Sequence, residues 1–187
     1  MRGVLMTTII SQAVKVLNQG GVIAYPTEYC FGLGCDPLNQ DAVSRVLKIK
    51  GRSSDQGLLL IAADLTQVFQ YADLNISPIQ DQIVLSWPGP VTWTLPARDS
   101  APKWLTGKHS SIAMRITAHQ SSVKVCQEFG QAIVSTSANR HSQPALLTAQ
   151  DVETEMGSEV DFILRSNVGN AQQASTIRDG MTGATLR

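Results

Sequence analysis

Leu58-Leu59-Leu60-Ile61-Ala62 is an unbroken apolar run of strand length, and such a run belongs to a strand covered on both faces, at the centre of a sheet. Upstream of it, Ala42, Val43, Val46, Leu47 and Ile49 recur at helical spacing, with Asn39 as a cap and Gly51 as a stop. That helix brings Lys50 and Arg52 to its C-terminal edge. Earlier still, residues 8–19 form a helical pattern stopped by Gly20-Gly21, and residues 21–25 a β-branched strand ended by Pro26. Downstream, residues 64–72 read as a short helix. Ser77-Pro78-Ile79-Gln80 reads as the start of another, with a Ser cap, Pro at the first position and Gln placed for a capping box; this helix ends at Trp87-Pro88-Gly89-Pro90. Residues 91–95 and 111–117 alternate as strands; in the second, Ile112, Met114 and Ile116 take one face and Ala113, Arg115 and Thr117 the other. A helix over 122–129, a strand over 132–136, an acidic helix over 148–156 and a strand over 160–164 follow. Residues 165–174 are expected to be a mobile loop, and 175–178 to pair with 184–187 across Thr182-Gly183. Strands interleaved with helices predict an α/β, α+β-like fold: a mixed sheet with helices packed against it.

The 187 residues fit one domain spanning 1–187. With 43% hydrophobic and 16% charged residues, disorder and coiled coil are excluded. No apolar run approaches the roughly 18 to 20 residues that cross a bilayer, and residues 1–10 lack a signal-peptide core, so a cytoplasmic protein without a membrane partner is expected. Cys30, Cys35 and Cys126 suit neither a disulfide framework nor a zinc site. Fifteen basic and fifteen acidic residues cancel, but they are segregated. Arg45, Lys48, Lys50 and Arg52 run without an acid among them, and Asp151, Glu153, Glu155, Glu159 and Asp161 without a base. Two solvated helix faces and a concealed basic patch both fit this pattern.

Walker and Rossmann glycine signatures are absent, as is a Gly-x-Ser-x-Gly elbow, and His109, His119 and His141 have no metal-ligand spacing. Four polar segments instead follow or interrupt strands, where open α/β sheets place ligands. Pro26-Thr27-Glu28-Tyr29 offers a hydroxyl and free backbone groups to a small zwitterion, or is an ordinary turn. Lys50-Gly51-Arg52 can converge on polyphosphate, Arg as a fork and Lys as a point charge, or decorate a helix C-terminus. Ser135-Thr136-Ser137-Ala138-Asn139 can hold phosphate oxygens or a hydrated metal, or be turn chemistry. Arg115 in mid-strand needs a partner or a concave face to receive its charge, which favours a functional role.

From Ile9 to Arg187 these residues resemble the YrdC-like family of threonylcarbamoyl-adenylate synthases, in its short bacterial form. The stretches that carry the likeness are Tyr25-Pro26-Thr27-Glu28, Phe31-Gly32-Leu33-Gly34, Lys50-Gly51-Arg52, Trp87-Pro88-Gly89-Pro90-Val91-Thr92, Ala113-Met114-Arg115, Ser137-Ala138-Asn139 and Ser175-Thr176-Ile177-Arg178-Asp179, in this order. The resemblance implies a twisted mixed sheet around a positively charged concave cavity. It implies an enzyme, a nucleotidyltransferase, joining L-threonine, bicarbonate and ATP (with Mg²⁺ on its phosphates, and no protein metal site) into threonylcarbamoyl-adenylate, releasing pyrophosphate. A separate transferase would then use the adenylate in tRNA modification. Lys50, Arg52, Ser137 and Asn139 take the catalytic roles by resemblance, and Thr27, Tyr29, Gln56, Thr92, Arg115, Thr117, Ser135 and Ser175 the substrate-binding ones. Ser53 and Gln56 stand where the family usually has Pro and Lys or Asn, Tyr29 where it often has Thr, and Arg140-His141-Ser142-Gln143-Pro144 replaces x-Ser-Gly-x-Pro. The alternative is a module of ribosome maturation that binds double-stranded RNA or tRNA without synthase activity; transfer of another carbamoyl group is a third reading.

Overall fold

The computed structural model describes residues 2–140 and 142–187, with side chains from residue 7 onward. Met1 and His141, which belong to the expectations about the N-terminal stretch and the loop after Asn139, lie outside the described residues. Helix α1 (Arg2–Asn18) leads into β1 (Ile23–Pro26) and β2 (Phe31–Gly34), then α2 (Gln40–Lys50), β3 (Leu59–Ala62) and the one-turn α3 (Leu65–Val68). Next come α4 (Gln80–Leu85), β4 (Val91–Pro96), the short α5 (Lys103–Thr106), β5 (Ser111–Ile116), α6 (Gln120–Phe129), β6 (Ile133–Ser137), α7 (Ala149–Met156), β7 (Phe162–Ile163) and β8 (Thr176–Asp179). The strands form one mixed sheet in the order β7-β1-β2-β6-β3-β5-β4-β8. β3 therefore lies inside the sheet, between β6 and the parallel β5, as its apolar run predicts.

Both faces of the sheet are covered, unequally. Against one face, α1 and α6 bury Ile10, Ala13, Leu17, Val125 and Cys126 on Ile23, Tyr25, Ile61 and Ile133. The opposite face carries the larger cluster, in which Val43, Val46 and Leu47 of α2 meet Leu60, Trp93, Leu95, Ile112 and Met114. A third cluster packs Val152 and Met156 of α7 on Ala24, Phe31 and Leu33. Ile112, Met114 and Ile116 all belong to the larger cluster, so the alternation read from β5 holds. No helix among the described residues is long and apolar enough to cross a membrane.

Several local readings are corrected. α1 begins well before residue 8. The pattern at 64–72 is helical only over Leu65–Val68, where Asp64 Oδ1 accepts from the Gln67 N–H. Ser77 does not cap α4: the cap position is Ile79, because the Ser77 hydroxyl donates to the buried Gly180 carbonyl and so ties this turn to the end of β8. Within the expected loop at 165–174, the Gly169 and Ala171 N–H groups donate to the Thr27 and Glu28 carbonyls. The terminal hairpin forms as expected, with Asp179 N–H donating to Ala184 and Leu186 N–H to Ile177.

Candidate functional site

One row of register-matched residues crosses five strands: Ser135 opposite Leu59, Leu59 opposite Ala113, Ala113 opposite Thr94, and Thr94 opposite Asp179. All five line a cavity of about 660 Å³ on the part of the α1 and α6 face that those helices leave uncovered. Because side chains alternate along a strand, Ser111 and Arg115 flank Ala113 on the same face, and both line the cavity too. Small side chains along most of this row leave room above it, within the volume range of small-molecule sites.

Tyr25 secures the β1 side of this floor. Its fully buried ring passes beside Gly32 and Gly34, and a Cβ on Gly34 would stand 2.7 Å from Tyr25 Cε1. Glycine there lets the phenol reach and donate to Ser135 Oγ at 2.8 Å. Burial raises the Tyr25 pKa well above its usual value, against the smaller opposing effect of the Ser135 hydrogen bond, so the phenol stays a donor. Ser135 accepts that proton and keeps its own to give.

At the turn between β1 and β2, Glu28 faces Arg115. Arg115 Nη1 donates to Glu28 Oε2 at 2.6 Å, while Thr117 Oγ1 and the Ala118 N–H each donate to Oε1 at 2.8 Å. Burial alone would raise the Glu28 pKa; the Arg115 charge and hydrogen bond, with the Thr117 hydrogen bond, outweigh it and hold the carboxyl below its usual value. Arg115 is only 7% exposed, and its Nε has no hydrogen-bond partner.

Gly51 takes a left-handed conformation (φ 58°) at the end of α2, and this turn sends Lys50 and Arg52 to different places. Lys50 is 4% exposed and does not line the cavity. Its ammonium donates to the Ser137 carbonyl at 2.6 Å, to Asn139 Oδ1 at 2.8 Å and to the Asn139 carbonyl, which occupies all three N–H groups. Burial first, and Arg52 second, bring its pKa down to about 8. Ser137 Oγ in turn donates to Asn139 Oδ1 at 2.6 Å. Arg52, by contrast, lines the cavity with Gln56, His109 and Arg187, and partial desolvation together with the charge of Arg187 lowers its pKa.

Of the residues singled out from sequence, Thr27, Tyr29, Arg52, Gln56, Arg115, Ser135, Ser137 and Ser175 meet around this one cavity. Lys50, Thr92, Thr117 and Asn139 stand one hydrogen bond behind it: Thr92 on Ser175 at 2.8 Å, Thr117 on Glu28, and Lys50 and Asn139 on Ser137. Glu28, His109, Asp179 and Arg187 also line it but were not singled out as ligand groups. A signal existed for Glu28, since a buried mid-strand arginine demands a carboxylate; Arg187 and His109 carried none. The charges of the basic run go to different places. Arg45 pairs with Asp161 at 2.8 Å and Lys50 is spent on carbonyls, while Arg140 and Arg165 pair with Glu159 and Glu153 of the acidic run.

The Sua5/YciO/YrdC family model, described as telomere recombination, matches residues 15–187. Among curated relatives, the threonylcarbamoyl-AMP synthase of Nitrosococcus oceani is 46% identical over 94% of this chain and 95% of its own length. That of Coxiella burnetii (strain RSA 493) is 44% identical over 97% of both. Among solved structures, P. abyssi Sua5 complexed with L-threonine superposes with a TM-score of 0.83 at 29% identity, covering 91% of this chain and 50% of that one. E. coli YciO, at 24% identity, shares the fold with a TM-score of 0.85 over 96% of this chain and 88% of its own.

Proposed function

The chain belongs to the Sua5/YciO/YrdC family, and from that premise we propose that it is a threonylcarbamoyl-AMP synthase, a nucleotidyltransferase serving the threonylcarbamoyladenosine modification of tRNA in the cytoplasm. L-threonine, bicarbonate and Mg-ATP are its substrates. The threonine amine and bicarbonate form a carbamate with loss of water. A carbamate oxygen then attacks the α-phosphorus, forming a P–O bond while the bond to the β-phosphate's bridging oxygen breaks and pyrophosphate leaves. Such a reaction asks the protein for alignment and charge compensation.

One observation carries the assignment of roles: a single cavity holds three arginines in two different settings, Arg115 matched by Glu28, and Arg52 beside Arg187. Arg52 and Arg187 receive the ATP phosphates, with Gln56 as a neutral donor. Arg115 receives the carboxylate or carbamate of the amino acid, with Thr27, Tyr29, Ser135 and Ser175 around it. Lys50 and Asn139 serve from behind by shaping the turn at Ser137, and Thr92 and Thr117 by orienting Ser175 and Glu28. The adenylate then passes to a separate tRNA-modifying transferase. Purified protein given threonine, bicarbonate and Mg-ATP releases pyrophosphate in a threonine-dependent and bicarbonate-dependent manner; release indifferent to threonine overturns the assignment.

A further inference from the structure

Glu28 joins three segments that lie far apart in the chain. Its carboxylate takes Arg115 Nη1 on one oxygen, and Thr117 Oγ1 and the Ala118 N–H on the other. Its carbonyl takes the Ala171 N–H, and a Cβ on Gly169 would stand 2.7 Å from that same carbonyl oxygen. The carboxylate is thus fixed at one oxygen before it meets the guanidinium, so it dictates how the plane of Arg115 lies. Arg115 lines the cavity with only 7% of its surface exposed, and its Nε, buried beneath that surface, has no acceptor among the described residues. A guanidinium held by a carboxylate that is itself fixed presents its remaining cavity-facing edge in one orientation.

We propose that Glu28 is a positioning residue with two effects on Arg115: it fixes the guanidinium edge that faces the carboxylate or carbamate of the amino-acid substrate, and it cancels the guanidinium charge so that phosphate gains little there. The cavity thereby sorts its two anions. Phosphate groups, multiply charged, go to Arg52 and Arg187, which form no ion pair among the described residues. A planar carboxylate, which profits from directed N–H groups more than from bare charge, goes to Arg115.

This rests on the reading of the cavity as a threonylcarbamoyl-AMP synthase site, and threonine-dependent pyrophosphate release by the unaltered protein tests that reading first. Given that activity, Glu28→Gln keeps the shape but uncovers the charge. It is expected to raise the threonine KM about ten- to a hundredfold, the loss of one charge-assisted pair, while the ATP KM stays within about twofold. Inorganic phosphate at millimolar concentration becomes a competitive inhibitor against threonine in Glu28→Gln and has no such effect on the unaltered protein. A purely structural role would move both KM values together and create no phosphate competition. Unchanged threonine KM, or no phosphate competition in a folded Glu28→Gln protein, overturns the inference. Should that variant fail to fold, Thr117→Val, which removes one donor to Glu28, decides: a rise in threonine KM without change in ATP KM supports the role, and an unchanged threonine KM overturns it.

Discussion

The Lys50 ammonium donates to the Ser137 carbonyl at 2.6 Å, across 87 residues of chain, while Arg52, two positions on, lines the cavity that Ser137 also lines. The same short segment thus supports the site from behind and faces it from the front. The two residues consequently fail differently when altered. If Arg52 holds phosphate as proposed, Arg52→Ala should cost about 1.5 to 3 kcal/mol of transition-state stabilisation, or about ten- to over a hundredfold in kcat/KM, with little change in Tm. Arg52→Lys keeps the charge, loses the fork and falls between. Lys50→Met takes the ammonium from three oxygen acceptors, of which Asn139 Oδ1 and the Ser137 carbonyl keep a second donor, and is expected to lower stability by about 1 to 3 kcal/mol and to depress activity through the displaced turn. Steady-state kinetics beside thermal melts separate the two.

Lys50 also predicts a pH dependence. With its pKa brought down to about 8 from 10.5, the ammonium loses a proton, and one donor to the Ser137–Asn139 turn, as pH rises through about 8. Activity should decline there, and Lys50→Arg should abolish that limb. Stability moves the other way. A lysine whose folded value is lowered costs stability while protonated, below about 8, and that cost is lifted between about 8 and 10.5, where the unfolded chain still holds the proton. A fall in kcat/KM accompanied by a flat or rising Tm is the expected pattern.

On the acid side the sign reverses at Glu28. Its pKa is held below the ordinary 4.5, so its stabilising contribution is complete above that value and disappears as pH falls through the lower, folded value. The difference in Tm between the unaltered protein and Glu28→Gln should therefore be largest near neutral pH and shrink below about pH 4.

Gly34→Ala is expected to cost about 1 to 3 kcal/mol, since the new Cβ would lie 2.7 Å from the buried Tyr25 ring and 2.9 Å from the Val134 carbonyl. Any shift of that ring pulls the phenol from Ser135, so threonine-dependent activity should fall by more than the loss of stability explains. Activity measured well below the new Tm checks this.

Local chemistry made much of this legible. The apolar run at 58–62, the Asn39 cap and Gly51 stop of α2, and the alternation of β5 all report forces acting within a few residues. The cost of a cation among Ile and Met likewise marked Arg115 as needing a partner. Illegible from sequence were features set by distant pairing. The Ser77 signature was read as a helix start because nothing nearby shows that Gly180, 103 residues on, claims the hydroxyl. The direction of Lys50 depended on carbonyls of a strand end, and a carbonyl has no side-chain identity to read. Arg187 next to Arg52 follows only from the place of the terminal hairpin at the sheet edge.

The row from Ser135 through Leu59, Ala113 and Thr94 to Asp179 draws on β6, β3, β5, β4 and β8, strands that are neighbours in the sheet but scattered along the chain. No contiguous fragment can display that floor, and fraying of one edge strand already breaks it. Substrate occupancy is thereby linked to the cooperative unfolding of the sheet as well as to fraying at its β8 edge. Saturating nucleotide should slow amide exchange most in the interior strands β3, β5 and β6, none of which carries Arg52 or Arg187.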